Sequence, residues 1–570
     1  MQPTDSANFS NYTIIRLTDY GVKPDSGEDA TPAMKRAIEA ALQLRCPIIL
    51  ECPAGRYDFY PEQATRLPYY ITNTASESEN PDVTKTIGIL LKGVKKLVLE
   101  GNGSLFIFHG KQTMFVIDAC DDILIRNLHT DFAQPTVVEM TVEGHGTDYL
   151  DVRVHADSHY EIAEGQLNWV GKGWNFLEGP MQEFNPDNNT TWRIDNLLET
   201  AVKTVELEPR LLRIYFEFTP DKIRGRILQT RDGVRDQVGA FVHRSRNISW
   251  DNVGMHFMHG LGIVGQFSED LSFNAMEMAP RPETGRTVTA FADFIHLMGC
   301  RGKIKVNQSR FIGGHDDPIN VHGTYLGIIS NPALNQLLVR FMHHQSYGFE
   351  AFIPGDELDF VRGDSLIPYE SNKVKSAEFV NPREILLTLE QPIPEGVKPG
   401  DVVENVTWIP EVEISDNYFA SIPTRGVLIT TRGKVVIEHN LFEHMTMSAI
   451  SVADDAASWY ESGCVKDLTI RSNRFIECGN SEHPVIYIAP ENTSVNIAEP
   501  VHHNIFIEGN FIQTSDALVL HAKSTNSISF KHNEVVLIGD SARLKSMDDL
   551  IHLTACSAVV IADNSITLKL

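Results

Sequence analysis

The stretch "GGHDDPINVHG" (residues 313–323) sets two adjacent carboxylates, Asp316 and Asp317, between a glycine pair and a proline, with His315 and His322 on either side. Upstream, "ADFIHLMG" (292–299) carries Asp293, and downstream "TRGVLITT" (424–431) and "MSAISVAD" (447–454) repeat the pattern of a short apolar strand. Aligned on that strand, Asp293, Asp317, Arg425 and Ser448 fall at equivalent positions. In successive rungs of a parallel sheet, ~4.8 Å apart, equivalent side chains form a row, so Asp293 and Asp317 become neighbours while Asp316 points to another side of the chain. Three carboxylates then share one patch. Like charges this close push at least one pKa up; the group that stays protonated near neutral pH is a ready general acid, and its neighbours remain bases. Such groups titrate as a set. Glycoside hydrolysis needs this division of labour, one acid for the leaving oxygen and one base for the attacking water.

Other chemistries fit less well. Aspartates also cap turns or bind calcium, but a calcium loop draws several oxygen ligands from one D-x-D-x-D-G run, which is not present. His315 and His322 lack a third ligand or an HExxH helix, so no metal is predicted and both are read as positioning or sugar-binding groups. There is no G-x-S-x-G elbow, and no glycine pattern sits between a strand and a helix as a nucleotide site requires.

The elements that must hold these residues are repetitive. Short β-branched strands ending in Asn recur nine times, from "NISWDNVGM" (247–255) through "EVEISDNYF" (411–419) and "KVVIEHNLF" (434–442) to "AVVIADNSI" (558–566). Ile248 to Leu271, Asn417 to Asn440 and Asn510 to Asn533 each span 23 residues. A period of about 20–25 residues with several strands per unit predicts a parallel β-solenoid, in which each coil buries its inward face against its neighbours. Inward residues alternate, as in Val412 and Ile414 with Phe419 past the bend. Asn at the bend suits left-handed backbone and a hydrogen-bonded side-chain ladder.

Ahead of the coils, "DATPAMKRAIEAALQL" (29–44) predicts a capping helix with Thr31 as N-cap, Pro32 at N1 and an apolar stripe of Met34, Ala37, Ile38, Ala41 and Leu42. Such a helix would hide the open edge of the solenoid. Residues 12–135 are therefore read as cap and first coils, 136–240 as an antiparallel barrel-like insertion and 241–323 as central coils with the aspartates. Residues 324–410 are read as a second barrel-like insertion and 411–570 as the last coils. The charged cluster stands at the mouth of the second insertion.

Composition bounds the partners. The 570 residues are 42% hydrophobic and 22% charged, and no apolar run approaches the ~20 residues of a membrane span. Lys plus Arg is 49 against 75 Asp plus Glu, a net charge of −26 that disfavours nucleic acid and polyanions. "KGVKKL" (92–97) is read as a solvated turn. Seven cysteines, scattered without metal-binding spacing, are read as buried free thiols; Cys46 and Cys52 are close enough in sequence to pair but flank the apolar "PIIL". The N-terminal "MQPTDSANFSNYT" shows no export signal.

Together, "DYGVKPDSGEDATPAMKRAIEAA", "FADFIHLMGCRG", "GGHDDPINVHGTY", "RGVLITTRGKVVIEHN" and "SAISVADDAASWYESG" resemble the α-1,3-galactosidases of glycoside hydrolase family 110 over nearly the whole chain. The resemblance implies an all-β, right-handed parallel β-helix with two barrel insertions, acting with inversion and without cofactor on terminal α-1,3-linked galactose of glycans. It implies Asp316 as general acid, Asp293 and Asp317 as the base pair holding water, and a secreted or periplasmic bacterial setting. His315, Asn320, His322, Arg425 and Asp454 are candidate sugar contacts, and Trp174 and Trp459 candidate stacking surfaces for the apolar face of galactose. Inversion predicts an acid-to-base separation of about 6.5–9.5 Å. A homodimer is left open. The rivals are a family 28 polygalacturonase, whose N-x-D, G-H-G and R-I-K elements are missing, and a non-catalytic carbohydrate-binding β-helix such as an adhesin or tailspike module.

Overall fold

The computed structural model describes residues 9–44, 46–221, 223–515, 517–539 and 546–569; the first eight residues of the segment read for an export signal lie outside them. The main body is a right-handed parallel β-helix. Its register follows the sequence period: Val412, Val435, Leu468, Ile505, Ile528 and Val559 stand on one another in successive coils. Val412, Ile414 and Phe419 are buried. Past the bend Phe311, Phe419, Phe442 and Phe475 stack with centroids 5.1, 4.6 and 5.2 Å apart, so one aromatic column fills a corner of the core.

The bend asparagines form the expected ladder. Each Nδ2 donates to the next Oδ1, from Asn417 through Asn440, Asn473, Asn510 and Asn533 to Asn564, at 2.9–3.2 Å. The left-handed backbone is not theirs, however. It belongs to the preceding residue: Asp416, His439, Ser472, Gly509, His532 and Asp563 have φ of 54–63°. The ladder Asn is selected for its amide, because that group satisfies buried backbone polar atoms which would otherwise lose water without compensation. Asn440 takes the Asn417 N–H and Nδ2 on its Oδ1 and donates to Ile414 O and Asn473 Oδ1. Asn440→Ala, which orphans several of these buried groups, is expected to cost about 2–4 kcal/mol. A fall in the guanidinium midpoint with unchanged slope would show it, whereas an unchanged midpoint would remove the ladder from the stability of the fold.

At the N-terminal end the helix Thr31–Gln43 covers the first coil, burying Met34, Ala37, Ile38 and Ala41 in the core shared with Leu50 and Tyr57. Two details differ from expectation. Thr31 is already helical, and its N–H is satisfied by Asp29 Oδ1 at 2.9 Å, so the capping group lies two residues earlier. Leu42 lies at the end of the stripe and is 45% exposed. The seven cysteines are free, and no helix among the described residues is long and apolar enough to cross a membrane.

Two antiparallel units interrupt the β-helix. Between 137 and 231, a seven-stranded sheet runs in the order Thr190–Ile194, Met181–Asn185, Ile227–Arg231, Val137–His145, Tyr149–Val154, Leu211–Phe216, Ala201–Glu208. A three-stranded meander, Tyr160–Phe176, packs Trp169, Trp174 and Phe176 onto its core. The second unit closes into a six-stranded ring. Ile319–Ala333 pairs with Gln336–Arg340, then Glu384–Leu389, Pro368–Asn381, Glu357–Val361 and Val402–Asn405, which returns to the first. The strand Ile319–Ala333 belongs to both bodies: Ile319–His322 pairs with helix coils, and Gly327–Ala333 lies in the ring.

Candidate active site

The coil strands Ile295–Met298, Ile319–Ala333, Val427–Thr430 and Ile450–Val452 are in parallel register, Ile295 on Ile319 on Val427 on Ile450. Two residues before each stand Asp293, Asp317, Arg425 and Ser448, so the row read from sequence exists in space. The turn before Asp316 is compact. Gly313 has φ +75°, and a Cβ there would meet Thr287 O at 2.3 Å, so glycine is required for the chain to reach the next rung.

An open cleft is lined by Asp293, Asp316, Asp317, Asn320, Arg425 and Trp459 from the candidate set. Asn73, Arg235, Leu428 and Glu461 complete it. Asp317 is fixed by two bonds from one residue, Arg425 N to Oδ1 at 3.0 Å and Arg425 Nη2 to Oδ2 at 2.8 Å. Asp316, with its side chain 19% exposed, is the most open carboxylate and pairs with Arg193 Nη2 at 3.3 Å. Arg193 belongs to the first insertion, which also hangs over neighbouring coils through Ser421 Oγ donating to Asn189 O at 3.1 Å. Asp293 Oδ2 meets His296 Nδ1 at 2.8 Å.

The three carboxylates diverge in acidity. Burial, and next the charge of Asp316, lift Asp293 to about 8. Burial raises Asp317 to about 6, with Arg425 opposing and the other two aspartates adding. For Asp316 burial is outweighed by Arg193, Arg235, Arg425 and Arg231, so it stays below the ordinary carboxylate range. Of the three, Asp293 therefore holds its proton to the highest pH, and Asp316 gives its proton up most readily.

Trp459 is 40% exposed at the rim and lies on the His343 ring of the second insertion, centroids 4.4 Å and planes 30° apart. Its loop is held by Asp455, whose carboxylate accepts from the N–H groups of Ala457, Ser458 and Trp459 at 2.5–2.9 Å. Asn73 reaches in from the connection between the strands Thr65–Pro68 and Thr84–Lys92, with Ser346 of the second insertion donating to its Oδ1 at 2.7 Å. Asn73 and Asn320 both donate to Glu461 Oε1, at 3.2 and 3.3 Å.

Four predicted contacts do not line the cleft. Trp174 packs against Phe176 inside the first insertion. Asp454 is fully buried beside Tyr325, Glu404 and Arg432 at the root of the second insertion, where burial and Glu404 hold its pKa well above the ordinary value. His315 lies behind Asp316, 2% exposed, and its Nδ1 accepts from Arg231 Nε at 3.1 Å. His322 is buried against His296, the two Nε2 atoms 2.9 Å apart.

His296, His322 and Glu461 are the grouping among the described residues with metal-binding atom types in reach of one another. Two imidazoles on one tetrahedral zinc, at ~2.0–2.1 Å each, would stand about 3.3 Å apart. At 2.9 Å the rings are hydrogen-bonded to each other, and amide donors occupy Glu461.

Comparison with known proteins follows the same lines. Residues 336–403, within the closed ring, match the GLAA-B beta-barrel domain II family. The chain is 42% identical to alpha-1,3-galactosidase A of Bacteroides thetaiotaomicron over 96% of both chains. It is 38% identical to alpha-1,3-galactosidase A of Bacteroides fragilis, over 98% of this chain and 93% of that one. Among solved structures, a Yersinia enterocolitica family 28 exopolygalacturonase aligns over 96% of this chain and 78% of its own with 11% identity and a TM-score of 0.38.

Proposed function

From the premise that the chain belongs to the α-1,3-galactosidase family, glycoside hydrolase family 110, we propose that it is an exo-acting, inverting hydrolase releasing terminal α-1,3-linked galactose. The acceptor is a glycan such as blood group B antigen, linear Galα1-3Gal or a related galactan. The observation that carries this reading is the convergence of Asp293, Asp316 and Asp317 on one open cleft.

Asp316 is the general acid, the open carboxylate on the side of the cleft reached by the first insertion. As the sugar replaces water around Asp316, the cost of its charge rises, and the glycosidic oxygen offers an acceptor that only the protonated form can use. Asp317 and Asp293, from stacked rungs, hold the attacking water on the opposite side of the anomeric carbon. One proton passes from Asp316 to the leaving oxygen as the C–O bond breaks, and one from water to the base as the new C–O bond forms. Arg425 keeps Asp317 ionised; Asn320, Asn73 and Glu461 meet hydroxyls, and Trp459, backed by His343, offers an aromatic face to the sugar. Secretion or export to a periplasm suits an enzyme whose substrates are external glycans.

Proton NMR of Galα1-3Gal and of the blood group B trisaccharide tests this reading through the anomeric signal of the earliest free galactose. β-Galactose is expected before mutarotation sets in. α-Galactose would overturn inversion, and no release from either substrate would overturn the proposed substrates.

A further inference from the structure

Asp293, half of the base, holds its proton to about pH 8, and a base must first lose it. The hydrogen bonds behind it point to how it is freed. His322 Nδ1 lies 2.5 Å from Gly323 O, and a carbonyl only accepts, so this nitrogen carries the hydrogen. In neutral His322 the other nitrogen, Nε2, is then an acceptor. The His296 Nε2 facing it at 2.9 Å must donate. With its one neutral-form hydrogen committed there, His296 presents a bare Nδ1 to Asp293 Oδ2 at 2.8 Å. That contact holds together only if one proton lies between them, on the carboxyl or on the ring. The Gly323 carbonyl thus fixes, through two imidazoles, the tautomer that lets His296 take the proton of Asp293.

We propose that His296, oriented by His322, is a positioning residue that stores the proton of Asp293 on Nδ1 while the carboxylate accepts a proton from the attacking water. The step balances: the Asp293 O–H proton moves to His296 Nδ1, giving carboxylate and imidazolium. Water then gives one proton to Asp293 and its oxygen to the anomeric carbon, and His296 returns its proton to solvent afterwards. The imidazolium is formed where negative charge surrounds it: Asp293 touches the ring, Glu461 lies beside His322 at 3.5 Å, and Asp316 and Asp317 offset Arg235. Burial, with Arg235 adding to it, holds His296 down, to about 4, so the proton stays on Asp293 until the reaction draws it across.

This inference rests on Asp293 acting as base, and its first test is independent of turnover. In substrate-free protein labelled with ¹⁵N-histidine, His296 is expected to carry hydrogen on Nε2 and His322 on Nδ1 from about pH 5 to about pH 8. Hydrogen on Nε2 of His322 would overturn the chain of donors whether or not galactose is released. In His296→Gln the proton of Asp293 has no store. The base then forms only by losing its proton to solvent, so kcat near neutral pH falls about 10²-fold, KM changes less than about threefold, and the acidic limb of the kcat profile moves up by about one pH unit. An unmoved limb with kcat and KM altered together would mark a purely structural role. Loss of wild-type activity to a chelator, restored by zinc, would place an ion rather than a hydrogen bond between the rings and overturn the proposal.

Discussion

Asp316→Asn is expected to lower kcat on Galα1-3Gal by about 10³-fold or more, and by only about tenfold on an aryl α-galactoside whose phenol leaves without protonation. The contrast isolates the acid role. A leaving group that needs no proton removes the step Asp316 performs, while the demand on the base is unchanged. Asp293→Asn and Asp317→Asn should therefore be slow on both substrates. Asn keeps the shape of Asp316 but not the charge that four arginines favour, so melting should match wild type in acid and fall somewhat behind near neutral pH, a loss that is the same whichever substrate is assayed. Burial and the charge of Asp316 favour a proton on Asp293, while the surrounding arginines favour an ionised Asp316, so the two roles need to be told apart by reactivity. Were Asp293 the acid, the aryl substrate would rescue Asp293→Asn instead, and the two roles would exchange. A binding module would show neither pattern.

The reason the aspartate row could be read from sequence is that a solenoid translates sequence period directly into spatial register. Once "ADFIHLMG" and "DDPINVHG" are aligned on their strands, the neighbours of Asp293 and Asp317 follow. The same alignment contains His296, three residues after Asp293, in register with Asn320; following that row as well as the aspartate row would have brought His296 to the site. Glu461 opens the short strand Glu461–Ser462, and Trp459 lies in the bend before it with Tyr460 at φ 59° between them, so strand alternation in "SWYES" does not link the two. Asn73 and Arg235 carry no signal either. They arrive on connections outside the period, and their place depends on how the insertions fold back.

The misplaced Trp174 has a local cause. It stands among glycines, and one of them, Gly171, is its cross-strand partner, where a Cβ would lie 2.2 Å from the indole. The glycine makes room for a packed ring. Asp454 ends a coil strand as the catalytic candidates begin theirs, and that end faces the root of the second insertion, where Arg432 pairs with Asp359 and Glu404. His315 and His322 do not line the cleft: His315 lies in the bend before Asp316 with Arg231 against it, and His322, although two residues from Asn320 and so on the same strand face, is covered by His296 and Glu461.

Arg425→Ala is expected to lower activity by about 10²-fold at about pH 6, with partial recovery toward about pH 8. Asp317 must be ionised to accept a proton from water, and burial already carries it up to about 6 with the guanidinium in place. Without that cation the folded pKa rises further, so the acidic limb of the kcat profile moves to higher pH. Stability follows by linkage. A carboxyl whose folded pKa lies above its unfolded value of ~3.9 stabilises fully below that value and loses the contribution as pH rises through the folded pKa. In the variant the folded pKa is higher still, so the loss continues over a wider interval. Its melting point should match wild type in acid and fall progressively behind toward neutral pH. Arg425→Lys, which keeps the charge without the second directed N–H, should lie between the two in both respects. If the activity falls with no movement of the limb, Arg425 acts on the sugar alone, and Asp317 is held ionised by something other than the 2.8 Å pair.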